Sequence, residues 1–315
     1  MPEPARVTSE SGLPPDVQAT VVAVGTFDGV HRGHRDVLDR LVARAAGLDL
    51  RSVLVTFEPH PLEVVNPAAA PLLLTVGEEK REVLAESGID YLAVVPFTAA
   101  LARYSAAEFV ERVLRERFRM KHLLMGYDHG FGRNREGDVE VVQALGARDG
   151  FRVEVIPPVS IGDGRPISST SIRRAIAGGD LDRATHALGR PYSIGGTVVQ
   201  GAARGRGLGF PTINLALPSP RKLLPPQGVY AVRVQTPGGA HGGMLNLGPR
   251  PTFGEETIGI EAHLFDTSGD WYGAWVRVDF IARLRDTQKF ESADALIEQL
   301  HRDERDARLV LSPVS

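Results

Sequence analysis

Short apolar runs, typical of buried strands, alternate with segments of helical periodicity through the first half of the chain. The strand-like runs are residues 21–24, 53–57, 91–96, 122–125 and 153–156. Between them apolar residues recur at helical spacing, for example over residues 106–118. This alternation predicts an α/β fold with a doubly wound parallel sheet, which binds ligands at the carboxyl ends of its strands.

The pattern changes near residue 189, where strand-like segments become separated by Gly/Pro turns. This spacing predicts a small antiparallel β-barrel. A final apolar stripe at helical spacing, which Ser292 can cap, predicts a C-terminal helix. The predicted domains are therefore residues 19–188 and 189–315, preceded by a flexible N-terminus, 1–18, that is rich in acids, prolines and serines.

Composition narrows the function classes. With 315 residues, the chain is long enough for two domains that each bury a core. A formal net charge of -3 provides no basic footprint for nonspecific binding to nucleic acid or membrane. The absence of cysteine excludes disulfides, cysteine nucleophiles and cysteine-ligated zinc. The sequence contains neither a signal-peptide pattern nor an apolar run long enough to cross a bilayer, so a cytoplasmic protein is expected. The sequence leaves the oligomeric state open.

The first strand runs directly into the sequence GTFDGVHRGH, residues 25–34. His31 and His34 are predicted at the start of a helix, where backbone N–H groups and the helix dipole favour anions. Gly33 removes a Cβ that would hold a ligand away. An isolated HxxH is more often a surface pair, but its position after a strand favours attack on a nucleotide α-phosphate. His-x-Gly-His resembles the signature of the HxGH nucleotidyltransferases.

Polar clusters follow other predicted strands. His60, in a proline-rich segment, is compatible with either a pocket wall or a rigid loop. Asp128 lies in a glycine-rich segment, where it could hold a base or a ribityl hydroxyl. The run ISSTSIR combines hydroxyl groups and an arginine at a predicted helix start, which favours a phosphate clamp over a plain helix cap.

The second domain contains a glycine- and arginine-rich segment, residues 201–209, which alone is a weak signal. No Gly-Lys-Ser/Thr occurs, so a Walker A phosphate loop is excluded. Thr212 and Asn214 share one face if the chain is extended, so both could reach one Mg²⁺ and a phosphate. Glu261, in an otherwise largely apolar strand, is either an outward-facing residue or a general base toward an alcohol.

These motifs together resemble the bacterial bifunctional riboflavin kinase/FMN adenylyltransferases (FAD synthetases). The motifs GTFDGVHRGH, TFEPHP, SSTSIR, LGRPY, LGFPTIN and IEAHLFD occur in the family's order, and the similarity extends from about residue 21 to residue 307. The resemblance implies that riboflavin attacks the γ-phosphate of ATP in the second domain, which gives FMN. It further implies that FMN attacks the α-phosphate of a second ATP in the first domain, which gives FAD and pyrophosphate. Mg²⁺ is expected in both reactions.

The resemblance also implies roles for individual residues. His31 and His34 would stabilise the transition state of adenylyl transfer, and Glu261 would be the base of the kinase. The implied ATP and phosphate ligands are Gly25, Phe27, Asp28, Gly33, Ser168, Ser169, Thr170, Arg173, Gly205, Arg206 and Gly207. The implied flavin or nucleotide pocket contains Asp128 and His60, and the implied Mg²⁺ ligands are Thr212 and Asn214.

Two positions depart from the family pattern. Ile213 stands where the family often has alanine, and His129 and Gly130 replace a Phe-Arg pair. Ile213 is expected on the face opposite the metal ligands, so activity should survive, whereas the second departure affects contacts with flavin or adenine.

Two alternative functions remain. The barrel could only bind flavin or a partner, which the set Thr212, Asn214 and Glu261 disfavours. A nucleic-acid module is disfavoured by the acidic balance and by the lack of interleaved aromatic and basic residues. The expected partners are therefore riboflavin, FMN and ATP, without nucleic acid or membrane.

Overall fold

The chain divides into two compact units in the computed structural model. The structure describes residues 6–8, 12–127, 129–161, 165–201, 204–249, 258–267 and 269–312. The first unit comprises Met1–Pro71 and Lys80–Ser168, and the second comprises Leu72–Glu79 and Ser169–Ser315. The division falls before residue 188 because helix Leu181–Leu188 packs on strands of the barrel. A division of activities at residue 188 stays a prediction.

The first unit is built on a six-stranded parallel sheet with strand order β1-β4-β3-β2-β5-β6. The strands are β1 Arg6–Thr8, β2 Thr20–Val24, β3 Arg51–Glu58, β4 Tyr91–Pro96, β5 Met120–Gly126 and β6 Arg152–Ile156. Along β2, Val22 and Val24 pack into one core cluster, while Val21 and Ala23 pack into another. Because side chains alternate between the faces of a strand, both faces of this sheet are buried.

Helices connect these strands. They are α1 Arg32–Gly47, α2 Pro61–Val65, α3 Gly77–Ala85, α4 Ala106–Phe109, which continues as a π-helical segment Val110–Arg115, and α5 Val139–Asp149. Of these, α1, α5 and the π-helical segment pack directly on the sheet. A short hairpin of β7 Ser160–Ile161 and β8 Arg165–Pro166 ends the unit. In the described part of the chain, no helix combines the length and apolarity that crossing a bilayer requires.

The strand order has a functional consequence. The order reverses between β2 and β5, which are neighbours in the sheet although β3 and β4 separate them in the chain. In doubly wound sheets, ligands bind in the crevice at such a reversal, outside the carboxyl ends of the strands. The loops after β2 and β5 therefore mark the expected site.

The N-terminal lead-in contributes to this unit. Arg6–Thr8 pairs in parallel with β4, and Leu13 and Val17 are buried in the core. Residues 1–18 were expected to be flexible from their composition. A strand at a sheet edge pairs through its backbone N–H and C=O groups, however, and this pairing requires no particular side chains. The sequence therefore gives no hydrophobic pattern that would predict it.

The second unit is a closed antiparallel barrel with strand order β10-β13-β12-β11-β14-β9. The strands are β9 Tyr192–Val199, β10 Ile213–Ala216, β11 Gly228–Thr236, β12 Gly239–Pro249, β13 Ile258–Leu264 and β14 Trp275–Arg285. The helices are α6 Ser169–Ala177, α7 Leu181–Leu188, α8 Arg204–Gly207 and α9 Ala293–Leu311. Ser292 caps α9 as expected, by accepting from the N–H of Ala295 at 3.2 Å. The predicted parallel sheet, barrel and C-terminal helix are all confirmed.

Residues 72–79, called the strap here, belong to the barrel unit although they lie in the N-terminal half of the sequence. Leu73 donates to Arg221 O at 2.7 Å and accepts from the N–H of Leu223 at 2.8 Å. The ammonium of Lys222 lies 2.7 Å from Oε2 and 2.9 Å from Oε1 of Glu79, and both side chains are fully buried. The second unit is therefore assembled from two separated parts of the chain.

Candidate active sites

Residues 25–34, called the histidine loop here, connect β2 to α1 with a strained backbone. Phe27, Gly29 and Val30 have φ angles of 46°, 82° and 41°. This left-handed region is unfavourable for the two residues that are not glycine. Phe27 and Val30 are nevertheless buried in the core beneath the loop. Core packing thus holds the loop in one strained conformation, which is frequent at functional sites.

The two histidines form one unit at the start of α1. Their rings stack with centroids 3.7 Å apart and an interplanar angle of 16°. Nδ1 of His31 accepts from the backbone N–H of His34 at 3.3 Å, so His31 is the N-cap of the helix. Because Nδ1 is the acceptor, the proton of the neutral ring lies on Nε2, which makes that nitrogen a donor toward an anion.

Gly33 leaves room for the ring of His31. A Cβ on Gly33 would lie 3.2 Å from both Cε1 and Nδ1 of that ring. From the sequence, the space left by the missing Cβ of Gly33 is expected to accommodate a ligand. In the structure the free space is occupied by the side chain of His31, which is 5% exposed.

The loop after β5 approaches the histidine loop at the reversal of strand order. Cε1 of His129 lies 3.8 Å from the position that a Cβ on Gly25 would occupy. Asp128, predicted to line this pocket, lies outside the described residues. The structure therefore adds His129 to the surroundings of the histidine loop, although its sequence context did not distinguish it from a structural residue.

Lys80 lies beneath the same loop and was missed by the sequence reasoning. Its Nζ donates to Oγ1 of Thr56 at 2.9 Å, and this hydroxyl donates to the carbonyl of Thr26 at 3.1 Å. Burial lowers the pKa of Lys80 to about 8, against the opposing attraction of Asp28 and Glu58. The sequence did contain one signal that its lysines are unusual. Only four of its 36 lysine and arginine residues are lysines, at positions 80, 121, 222 and 289.

His60 has a capping role in the described structure. Its Nδ1 accepts from the N–H of Leu62 at 3.2 Å, and its own N–H donates to Glu63 at 3.1 Å. This reciprocal capping box orders the start of α2. The predicted pocket role of His60 stays a prediction.

The predicted phosphate clamp is divided between the two units. Ser168 is the last residue of the first unit, whereas Ser169, Thr170 and Arg173 lie on α6 in the second. Nε of Arg173 donates to the carbonyl of Leu72 in the strap at 2.8 Å. The clamp itself stays a prediction.

On the barrel, strand register brings a second set of polar residues together. Glu261 on β13 lies directly opposite Asn214 on β10 and Asn246 on β12. Directly opposed residues of antiparallel strands point to the same face, so these three side chains form one row. Asn214 is buried, and a Cβ on Gly201 would lie only 2.1 Å from its Nδ2. Gly201 is thus required for the close packing of Asn214.

The donors of this row suit Mg²⁺, which prefers oxygen ligands and retains several waters. Thr212 lies just before β10 and supplies a hydroxyl oxygen, and Asn214 on β10 supplies an amide oxygen. Within the described ranges, no three His, Cys, Asp or Glu side chains cluster in a way that would cage a metal. This arrangement fits an ion held largely by substrate phosphates.

Backbone contacts also position Ile213 and the described part of the glycine-rich segment, residues 204–209, next to this row. Ile213 pairs with Ala262, on the barrel face opposite Asn214. A Cβ on Gly205 would lie 2.2 Å from the carbonyl oxygen of Phe210, so this position requires glycine. Arg206 lies in α8, but its side chain is outside what the structure describes, and Gly207 faces open space.

A cavity of about 520 Å³ lies beside this row in the second unit. It is lined by Phe210, Pro211, His263 and, on α9, His301 and Arg308, among others. The ring of Phe210 meets His263 and His301 edge-on, with centroid distances of 5.3 Å and 5.0 Å. Pro211, in the wall of the cavity, immediately precedes Thr212 in the chain, although neither Thr212 nor Asn214 lines the cavity itself.

Comparison with protein families assigns both halves of the chain. The model of the FAD synthetase family matches residues 13–171, and the model of the riboflavin kinase family matches residues 188–311. The chain is 39% identical over 302 residues to a bifunctional riboflavin kinase/FMN adenylyltransferase of Pseudomonas fluorescens, with 96% of each chain covered. Proteins of the same description match from Escherichia coli strain K12, at 39% identity and 92% coverage of each chain, and from Bacillus subtilis strain 168, at 34% identity and 91% coverage.

A solved structure is also similar over the whole chain. A Streptococcus pneumoniae protein described as a macrolide-efflux protein superposes with a TM-score of 0.81 at 32% sequence identity. The match covers 95% of this chain and 96% of that one. The two-part architecture is therefore shared along nearly the full length of both proteins.

Proposed function

The chain belongs to the bifunctional riboflavin kinase/FMN adenylyltransferase family, and we propose that its two activities use the two separate sets of residues described above. The chain phosphorylates riboflavin to FMN with ATP and converts FMN to FAD with a second ATP. Its substrates are riboflavin, FMN and ATP, and Mg²⁺ is the usual divalent ion of the family.

Adenylyl transfer is assigned to the histidine loop. The observation that carries this proposal is the stacked pair of His31 and His34 at a helix start, beside the reversal of strand order. A phosphate oxygen of FMN attacks the α-phosphorus of ATP, and pyrophosphate leaves. The N–H groups at the helix start and Nε2 of His31 donate to the phosphate oxygens, whose negative charge increases in the transition state.

Riboflavin phosphorylation is assigned to the barrel row. The terminal hydroxyl of riboflavin attacks the γ-phosphorus of ATP, ADP leaves, and Glu261 accepts the hydroxyl proton. Thr212 and Asn214 hold the phosphates, together with Mg²⁺. When bound, the ion neutralises phosphate charge. The opposition of Asn214 and Glu261 in the register of β10 and β13 supports this assignment.

The cavity beside the row receives the adenosine of the kinase's ATP in this proposal. The rings around Phe210 form an aromatic surface on which a base can pack. The glycine-rich segment that contains Gly205, Arg206 and Gly207 leads directly to that surface. Its backbone would then follow the triphosphate from the cavity toward Thr212.

The remaining assignments rest on the family resemblance. Ser168, Ser169, Thr170 and Arg173 are proposed to bind the triphosphate of the adenylyl-transfer reaction, and Asp128 the flavin or adenosine. A cytoplasmic location is proposed as well, because the substrate ATP is a cytoplasmic metabolite. Fractionation of cells with an antibody to the chain tests the location.

Separation of the two activities by mutation tests the main proposal. With riboflavin, ATP and Mg²⁺, the unaltered protein first accumulates FMN and then FAD, which chromatography resolves. His31→Ala should still form FMN but lose FAD formation by about 10²–10³-fold, as removal of a transition-state donor does. Glu261→Gln should convert supplied FMN to FAD and lose phosphorylation of riboflavin. Loss of both activities in either folded variant would contradict the division.

A further inference from the structure

Lys80 connects to the histidine loop through one hydroxyl group. The Lys80 ammonium donates to Oγ1 of Thr56 at 2.9 Å, and Thr56 uses its own proton to hold the carbonyl of Thr26 at 3.1 Å. Thr56 is 1% exposed. A bond from an ammonium polarises the hydroxyl and strengthens the bond that the hydroxyl donates. The position of the Thr26 carbonyl, at the start of the loop, thus depends on a charge on another element.

The charges around Lys80 explain why a cation is needed there. Asp28, two residues beyond Thr26, is 3% exposed, and Glu58 ends β3. Both attract the ammonium of Lys80. Without it, these two carboxylates would face a site that must accept the negative charge of ATP and of FMN. Their field would then be less balanced and would oppose binding of the triphosphate and of the attacking phosphate more strongly.

We propose that Lys80 positions the histidine loop for adenylyl transfer by holding Thr56 and by neutralising Asp28. The inference rests on the proposed role of the histidine loop and adds a residue to it. Lys80 acts through its neighbours, so it is a positioning residue. Arginine retains the charge, whereas methionine retains only the apolar length of the side chain.

The protonation state of Lys80 then governs FAD formation at alkaline pH. The charged groups that act on it are Asp28 from the loop and Glu58 from β3; its own helix carries Glu78, Glu79, Arg81 and Glu82. Since its pKa is lowered to about 8, the ammonium is present below that pH and is lost above it. FAD formation should therefore decline above a pH of about 8, while an arginine at this position stays charged.

The experiment compares Lys80→Met, Lys80→Arg and Lys121→Met in the full-length protein. Lys121 lies on β5 in the same unit, and its exposed side chain makes the third variant a matched control. FMN is supplied for FAD formation; riboflavin phosphorylation by the same preparation reports that the second unit is folded, and circular dichroism reports that the whole chain is folded. Lys80→Met should lower kcat for FAD formation by about 10- to 100-fold, the effect of losing one charged hydrogen bond. Phosphorylation should change by less than about twofold.

The pH profile and a second variant separate positioning from simple structural support. Lys80→Arg should retain FAD formation, and its alkaline decline should move upward by about one pH unit or more, since guanidinium does not titrate there. Thr56→Val, which removes the hydroxyl, should lower FAD formation, and combining it with Lys80→Met should cost less than the product of the separate losses. The proposal would be overturned if the loss in the double variant equalled the product of the two separate losses. It would also be overturned if FAD formation by Lys80→Arg declined at the same alkaline pH as in the unaltered protein.

A parallel measurement on His31→Ala distinguishes the two levels of inference. If His31→Ala loses FAD formation while Lys80→Met retains at least about half of it, the role of Lys80 is refuted and the histidine loop stands. If His31→Ala retains FAD formation, the proposed site itself fails. An equal loss of both activities in Lys80→Met would show a structural role and would also refute the proposal.

Discussion

The buried pair of Glu79 and Lys222 offers a sharp test of how the barrel unit is assembled. The ammonium of Lys222 bonds both carboxylate oxygens of Glu79 and the carbonyl of Leu74, and it lies 4.7 Å from the ring centroid of Tyr192. Ser193 donates to the same carboxylate at 2.7 Å. Neither charged side chain has any exposed surface. Lys222→Met therefore leaves a carboxylate inside the protein without its counter-charge.

The expected cost follows from that burial. Removing one partner of a buried ion pair destabilises a protein by about 3–5 kcal/mol, because the remaining charge cannot return to water. Replacing both partners by apolar residues is often neutral or stabilising. Lys222→Met should thus lower the free energy of unfolding of the barrel unit by about 3–5 kcal/mol. For a unit of this size, this corresponds to a decrease in melting temperature of about 6–20 °C. The double variant Glu79→Leu/Lys222→Met should regain most of the loss.

The chain provides its own optical probe for this measurement. Both of its tryptophans, Trp271 and Trp275, belong to the second unit. Urea unfolding followed by tryptophan fluorescence in the full-length protein therefore reports on the barrel unit. Lys289→Met, which removes an exposed lysine from the same unit, is the matched control and should shift the transition by less than about 0.5 kcal/mol.

Two results would refute this reasoning. If Lys222→Met unfolds within about 0.5 kcal/mol of the unaltered protein, the pair does not hold the strap in the barrel unit. If the double variant is as unstable as the single one, the loss comes from packing around Lys222 and not from an unpaired charge. The coupling between the two substitutions isolates the charge pair.

Two further predictions follow from the site geometry. Gly201→Ala should displace the Asn214 side chain and lower riboflavin phosphorylation by about tenfold or more, while FAD formation from supplied FMN persists. Burial chiefly lowers the pKa of His122, so its folded-state pKa lies below the unfolded value and its stabilising contribution is lost as pH falls through that range. His122→Gln should therefore reduce the acid sensitivity of the first unit, measured by circular dichroism during urea unfolding at several pH values.

Local patterns in the sequence were sufficient for much of the fold. Neighbouring residues alone predict the buried strand before residue 25 and the helix after His31. They also predict the histidine pair at the start of that helix. The alternation of strands and helices likewise predicts the parallel sheet, and the turn-separated strands predict the barrel. Each of these features depends on periodicity within a few turns or one strand.

The features that escaped prediction depend on contacts between distant residues. Lys222 lies 143 residues after Glu79, and nothing near either one indicates the pairing. The register that places Asn214 opposite Glu261 arises only when the barrel closes. Lys80 lies in a helix whose sequence resembles any solvated helix, and only the fold brings it to Thr56. The scarcity of lysine was visible, but a count alone does not show which lysines are buried.

One glycine beside each candidate site makes room for a side chain of that site. From the sequence, Gly33 is expected to leave space for a ligand, whereas the segment that begins at Gly201 is only a weak signal. In the structure, Gly33 and Gly201 provide space for the side chains of His31 and Asn214 themselves. Alanine at either position should therefore disturb the orientation of a functional group more than it obstructs a substrate. The expected consequence is a decrease in kcat with a smaller change in KM, because an interaction specific to the transition state is weakened. A rise in KM alone would instead restore the ligand-space interpretation.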